Sequence, residues 1–445
     1  MPIELAVEEL KALKPDFNPV ALVGHIDNYT TYPSKGLTPK KLTTVLEEAD
    51  LGDITRQAEL FEDMLEKDSF LFGLFHSRKM AVLRENYEIM IDSEENEDLE
   101  VKEFVKQVFE QAKNWRQNVE DLLDAVPKGF SANWIGWRLI PDARGTVVFD
   151  RLNNVHQKNF RWGKASDMQN ADLNQLRRLT EGDLLDGVEM EPFKWVVPII
   201  KARAGHSTRT SLMRSVTWPY LFKNFGVKAF MIYAEKFGMP LLVGKYEDAA
   251  TKEAKEALEK AVQGLSTDSR AILSKTTEIE LIKDEGKQST SDLHLKLLEF
   301  MKSEMSVTVL GHTGSSQSTP GKLGNEDMAK DVREDIVQSD AISAVDYPVS
   351  DQLIKPLVIF RFGQRRVYPY YKTSIPKTED LLREVQIDQK LVEMGVPLSV
   401  EYAYDKYKRP KPDKDQTLIT PPVRQTPFDS AVAKGLLGRK SDLLR

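Results

Sequence analysis

Residues 217–246 read TWPYLFKNFGVKAFMIYAEKFGMPLLVGKY. Trp218, Tyr220, Phe222, Phe225, Phe230, Tyr233 and Phe237 recur at helical spacing. This predicts a long helix that starts near Ser207 to Ser211, with Pro219 either kinking it or opening its main segment. Gly238 and Pro240 stop it, and MPLLVGKY follows as a strand. Aromatic side chains on a helix face more often fill a core or a subunit contact than stack on bases. So many around one helix suit burial on several sides, a condition met when neighbours from other subunits flank it.

Toward the C-terminus the pattern becomes small and α/β. DAATKEAKEALEKAVQGL is a charged helix, and RAILSK and TEIELIK read as two strands. Lys252, Glu253, Lys255, Glu256, Glu259 and Lys260 give that helix a mixed-charge surface, suited equally to a partner or to plain solvation. Ser291 or Asp292 then caps a helix in which Leu293, Leu297, Met301 and Met305 recur every fourth residue. It runs into GHTGSSQSTPGKLGN, from Gly311 to Asn325, a polar stretch that is long for a compact domain unless it has a function. Gly314, Gly321 and Lys322 look like fragments of a phosphate cradle. Six residues separate those glycines, and Leu323 stands where the motif needs Ser or Thr to hold a metal ion. Nucleotide binding is set aside on that spacing.

Beyond this stretch, EDMAKDVREDIVQSDAISAV is amphipathic and carries a negative face that includes Glu326, Asp327, Asp331, Glu334 and Asp335. PLVIFRF reads as a strand and TEDLLREVQIDQKLVEMG as a helix. From Lys406 on, ten basic residues stand against four acidic ones in a Pro-rich tail, so an acidic body carries a basic end.

Toward the N-terminus, the first residues form an irregular arm. Thr38 and Pro39 supply an N-cap and a first-turn proline for a helix that ends at Gly52, and Asp53 offers a cap to the next. Helical patterns continue through SFLFGLFHSRKMAVLREN and VKEFVKQVFEQAKNWRQNVEDLLDAV, broken by a short strand near Tyr87 to Ile91. From Asn133 the runs NWIGWRLI, TVVFDRLN, VHQKNFRW and FKWVVPII read as strands.

The 445 residues suggest roughly two to four domains. With 41% hydrophobic residues, they can bury real cores. The absence of Cys excludes disulfides and thiolate metal sites. The six histidines, His25, His76, His156, His206, His294 and His312, include no pair at metal-ligand spacing. With no nucleophile elbow or dinucleotide fingerprint either, the expectation is a protein without cofactor, metal or enzyme activity. The acidic start lacks the form of a signal peptide, and no apolar run is long enough for a membrane span.

Thr217 to Tyr246 resembles the portal proteins of Mu-like bacteriophages. The likeness continues through GLTPKKLTTVLEEADLGDITRQAELFEDMLEKDSFLFGLFHSRKMAV, Gly36 to Val82, and through NNVHQKNFRWG, and covers most of Gly36 to Phe362. The resemblance implies a mainly α fold with α+β parts, arranged as wing, stem, clip and crown, that assembles into a ring, typically a homododecamer, at one capsid vertex of the virion. Assembly would take place in the host bacterial cytoplasm, with no membrane involved. On that plan residues 1–35 are an arm, 36–205 the wing, 206–238 and 287–310 two stem helices, 239–286 the clip and 311–325 the tunnel loop. Residues 326–375 are the spine helix and the return to the wing, and 376–445 a crown-like helix and basic tail.

Gly311, His312, Thr313, Gly314, Ser315, Ser316, Gln317, Ser318, Thr319, Gly321 and Lys322 would then touch double-stranded DNA without reading its sequence. A bore that grips phosphates tightly would oppose sliding, so one firm cation per loop and an acidic helix behind it suit passage. The implied partners are the large terminase subunit at the clip, a neck or adaptor protein after it, and the major capsid or a scaffold protein. The rivals are a head-morphogenesis or scaffold protein without a channel, and a packaging nuclease or ATPase.

Overall fold

The computed structural model describes residues 32–140, 146–167, 172–238, 242–246, 251–265, 270–274, 290–312, 323–375, 381–407 and 411. The chain divides into two units, Met1–Ile375 and Pro376–Arg445.

In the first unit, helix α1 (Pro39–Asp50) begins as its sequence dictates. Thr38 accepts a hydrogen bond from the Lys41 amide at 3.3 Å, and Pro39 fills the first turn. Leu42, Val45 and Ala49 are its buried face. Helix α2 (Thr55–Lys67) starts without a side-chain cap on its first turn; Asp53 bonds only the Thr55 amide, at 3.1 Å, so the expected cap is displaced by one residue. Helix α3 (Ser69–Leu83) is capped by Asp68, which accepts from the amides of Phe70 and Leu71. These three helices pack a core of Leu42, Phe61, Met64, Leu71 and Phe75.

Strand β1 (Asn86–Met90) leads into helices α4 (Asn96–Gln111) and α5 (Trp115–Leu122). Strands β2 (Ala132–Leu139) and β3 (Val147–Val155) pair antiparallel, and β7 (Trp195–Val196) lies on the other side of β2. The FKWVVPII stretch therefore contributes only a two-residue strand. Strands β4 (Phe160–Trp162), β5 (Leu176–Thr180) and β6 (Asp183–Glu189) form a second antiparallel sheet. β5 and β6 have no counterpart in the sequence reading, because LRRLT buries two arginines where a strand pattern calls for apolar residues.

Three long helices follow. Helix α6 (Leu212–Gly238) continues through Pro219, so that residue does not start it. Strand β8 (Leu242–Tyr246), helix α7 (Lys252–Leu265) and strand β9 (Arg270–Ser274) form a small parallel βαβ piece. The TEIELIK stretch lies outside the described residues. Helix α8 (Thr290–Leu310) starts just before the expected caps. Helix α9 (Leu323–Asp340) begins inside the stretch expected to be loop, since Leu323 to Asn325 are helical.

PLVIFRF is not a strand. The chain runs helical from α9 through a π segment (Ala341–Asp346), one α turn (Tyr347–Val349), a second π segment (Ser350–Ile354) and helix α10 (Lys355–Phe362). Its β-branched content suggested β structure, but burial decides. Leu353, Ile354, Leu357 and Val358 are wholly buried in the large core built by α4, α5, β2 and β3, and a helix covers that core on one face. Pro348 and Pro356 each fall in the first turn of an α segment after a π segment, where a missing N–H costs least.

Strand β10 (Tyr370–Ser374) pairs with β1, and its other edge is met by side chains of the π segments. Thr373 donates to Asp346 from its amide and, at 2.6 Å, from its hydroxyl, and the Tyr371 amide donates to Ser350 at 2.9 Å. Alternate strand amides thus match acceptors four residues apart on the helix.

In the second unit, helices α11 (Leu381–Glu393) and α12 (Val400–Lys406) are joined by Lys406 donating to Glu384 at 2.8 Å and Tyr407 donating to Asp388 at 2.6 Å.

Candidate nucleic-acid interface

Helices α6 and α8 run antiparallel. At one end Met213, Val216, Tyr220 and Leu221 of α6 meet Met305 and Val309 of α8 in the core beneath α1 to α3. Farther along, Gly226 lets the helices close in, and a Cβ there would sit 3.4 Å from both Leu297 and Leu298. Beyond it the His294 ring lies 6.1 Å from Phe230 and 5.9 Å from Tyr233. Gly226, Phe230 and Tyr233 therefore form the face of α6 that packs on α8.

About a quarter turn around the axis, Phe222, Phe225, Ala229 and Ile232 make a second stripe that is exposed. Helix α8 has a matching one, with Leu293 68% and Phe300 58% exposed alongside Leu297 and Val307. Two exposed apolar stripes on paired helices mark a surface that another protein surface covers.

At its end, α8 turns at Gly311, whose φ of +74° is a left-handed conformation suited to glycine. The amide of Gly311 still bonds the Val307 carbonyl at 2.9 Å. A Cβ on Gly311 would stand 2.9 Å from Val332, so α8 and α9 cross closely there. His312 is half-buried. Thr313, Gly314, Ser315, Ser316, Gln317, Ser318, Thr319, Gly321 and Lys322 lie outside the described residues, as do the side chains of Glu326, Asp327 and Asp331 on α9. Glu334 is half-buried and Asp335 exposed. On α7, Lys252, Glu253, Glu256, Glu259 and Lys260 are exposed and Lys255 is half-buried.

Arg78, a residue with no signal in the sequence pattern, ties this junction to α3. It donates to both carboxylate oxygens of Asp340, at 2.5 and 2.8 Å, and to the Val309 carbonyl at 2.6 Å. Elsewhere α3 holds α6, since Lys223 donates to Asp68 at 2.6 Å.

A further charge cluster lies outside this region. Lys128 is nested between Asp124 and Glu62, and Lys79 also reaches Asp124 at 2.7 Å. Burial alone would raise the Asp124 carboxyl, but Lys128 and Lys79 outweigh it and hold it below the usual carboxylate range. The cations and anions of this cluster satisfy one another. Among the described residues no cluster of His, Asp and Glu is arranged to hold a metal ion. No helix among them is long and apolar enough to cross a membrane.

Residues 58–409 match the family model of the portal protein of Mu bacteriophage. The chain belongs to that family. It is 30% identical over 405 residues to the Mu-like prophage FluMu protein gp29 of Haemophilus influenzae, covering 88% of this chain and 74% of that protein. It is 25% identical over 398 residues to the portal protein of Escherichia phage Mu, covering 87% of this chain and 74% of that one. Among solved structures, a chain of the native gene transfer agent virion aligns at 11% identity with a TM-score of 0.45, covering 84% of this chain and 94% of that one. As a Mu portal family member, the chain has its long-helix pair where the sequence resemblance began, at Thr217. The sequence did not disclose the second stripe on α8 or the Arg78 junction. Leu293, Leu297, Met301 and Met305 recur every fourth residue, but only Met305 is buried, while Leu293 and Leu297 are exposed.

Proposed function

We propose that copies of this chain form a portal ring at one vertex of a phage head, through which double-stranded DNA is packaged and later ejected. The observation that carries this is the pair of exposed stripes on α6 and α8 in a Mu portal family member. In a ring the α6 stripe of one copy packs against the α8 stripe of the next, and so around the circle, which covers both without leaving a free edge. Twelve copies is the number that the resemblance favours.

The residue plan follows the same reading. Helices α6 and α8 are the stem, and β8, α7 and β9 the clip, with its mixed-charge helix as the docking face for terminase and later for a neck or adaptor protein. The stretch Gly311 to Lys322 is the DNA-facing loop, with Lys322 its firm cation and the acidic side of α9 discouraging tight phosphate contact. The role is mechanical and not enzymatic, because the force comes from the docked motor. Deleting Ser315 to Pro320 is the test. Rings should form normally while packaging or DNA retention falls. Loss of ring assembly itself would make the loop a structural part.

A further inference from the structure

We infer that the loop from Lys201 to Arg209 is a contact surface for the backbone phosphates of duplex DNA, bound without regard to sequence. This goes beyond the proposed function, because it follows from the loop's own charge and applies to a single chain as well as to a ring.

No Asp or Glu stands between Glu191 and Glu235, in a chain whose net charge is -7. Within that acid-free stretch the loop ahead of α6 gathers Lys201, Arg203 and Arg209 near Arg214. Lys201 donates to neutral oxygens, the Asn174 side chain at 3.2 Å and the Gly205 carbonyl at 3.3 Å. Arg203 donates from Nε to the Arg209 carbonyl at 2.9 Å, and no carboxylate among the described residues pairs with it. Asp50 serves the other two, at 3.4 Å from Arg209 and 2.7 Å from Arg214. Burial lowers the Arg214 guanidinium from its ordinary value, Asp50 opposes this, and Arg209 and Arg203 lower it further, so the three guanidiniums feel one another's charge. Excess positive charge held together in this way attracts a polyanion.

The loop is also held in shape. The Ala202 amide donates to the Thr210 carbonyl at 3.1 Å, and Ser207 donates to Asn174 from its amide at 3.2 Å and its hydroxyl at 3.1 Å. Lys201 to His206 are all exposed, and the small residues Ala202, Ala204 and Gly205 between the cations leave room for a rod-like surface to approach. From Lys201 to Arg209 there is no large apolar side chain to form the core of a protein interface, whereas phosphate contacts need only the cations. With no Phe, Tyr or Trp to stack on an unpaired base, the loop suits a duplex backbone and not single strands.

The test titrates the full chain into a fluorescein-labelled duplex of random sequence and reads anisotropy from about 50 to about 200 mM salt. In Arg203→Gln/Arg209→Gln the slope of log K against log salt should be shallower by about 2, and binding at about 50 mM salt should be weaker by about tenfold or more. Arg203→Lys/Arg209→Lys should keep the parent slope, because a point charge releases the same counterions. Lys113→Gln/Arg116→Gln makes the same charge change at exposed residues by α5 and should also keep it. The basic residues after Lys406 are common to every variant and cancel in the comparison. A parent slope in the double Gln variant overturns the inference. Equal loss in the Lys113 and Arg116 variant overturns it too, by making bulk charge the cause. So does displacement of the labelled duplex by polyglutamate as readily as by unlabelled duplex, which would make an acidic protein the partner. The Ser315 to Pro320 deletion tests the proposed function separately, so either claim can fail while the other stands.

Discussion

Phe225→Ser tests the ring contact where the structure makes it quantitative. Phe225 is 43% exposed on the outer stripe of α6. A phenylalanine presents about 200 Å², so roughly 85 Å² of it waits to be covered by a neighbour. At about 25 cal/mol per Å² this contributes about 2 kcal/mol to each interface, or about thirtyfold in the association constant. The loss recurs at every interface of a closed ring, so assembly should shift to markedly higher protein concentration. The monomer should hardly notice, because an exposed side chain adds little to folding, and its melting temperature should stay close to that of the parent chain. Mass photometry across a concentration series reads the first effect and circular dichroism on heating reads the second. Rings at the parent concentration would refute the stripe as the contact, and a collapsed melting temperature would show that Phe225 is buried within one chain.

Gly311→Ala should cost about 1–3 kcal/mol, because it puts a side chain in a left-handed turn and against Val332, and an unchanged melting temperature would contradict the close crossing of α8 and α9. Asp346 has its carboxyl raised above the usual range by burial, with the hydrogen bonds from Thr373 only partly opposing. A raised pKa in the folded state means that its contribution is full below the unfolded value near 4 and is lost as pH rises through the folded value. Asp346→Asn should therefore be at least as stable as the parent at pH 7, with that relative advantage shrinking or reversing by pH 4; a variant that is weaker at pH 7 and recovers in acid would have the wrong sign. Removing residues 412–445 should leave rings intact in electron micrographs, and failure to assemble would give the basic tail a structural part.

The sequence was most legible where local chemistry and tertiary demand agree. Thr38 and Pro39 start α1 because the cap and the proline each satisfy the first turn by themselves. The Gly311 stop and the length of α6 were readable for the same reason. PLVIFRF misled because its β-branched residues serve a buried helix face, a choice made by α4, α5 and β3 from far along the chain. Strands β5 and β6 were hidden because Arg177 and Arg178 are buried only by virtue of specific acceptors. Arg177 donates to the carbonyls of Asp186 and Gly187, and Arg178 pairs with Glu191. For the candidate site, the loop and the acidic helix stood out by composition. Arg78 did not, since a single arginine in an amphipathic helix looks like any solvated charge until Asp340, 262 residues away, is seen beside it.

The central claim is a ring that conducts DNA, and images of the purified protein test it most directly. Negative-stain class averages should show closed rings with a central hole wide enough for a duplex. Monomers, or solid oligomers without a hole, at concentrations that support assembly would contradict it.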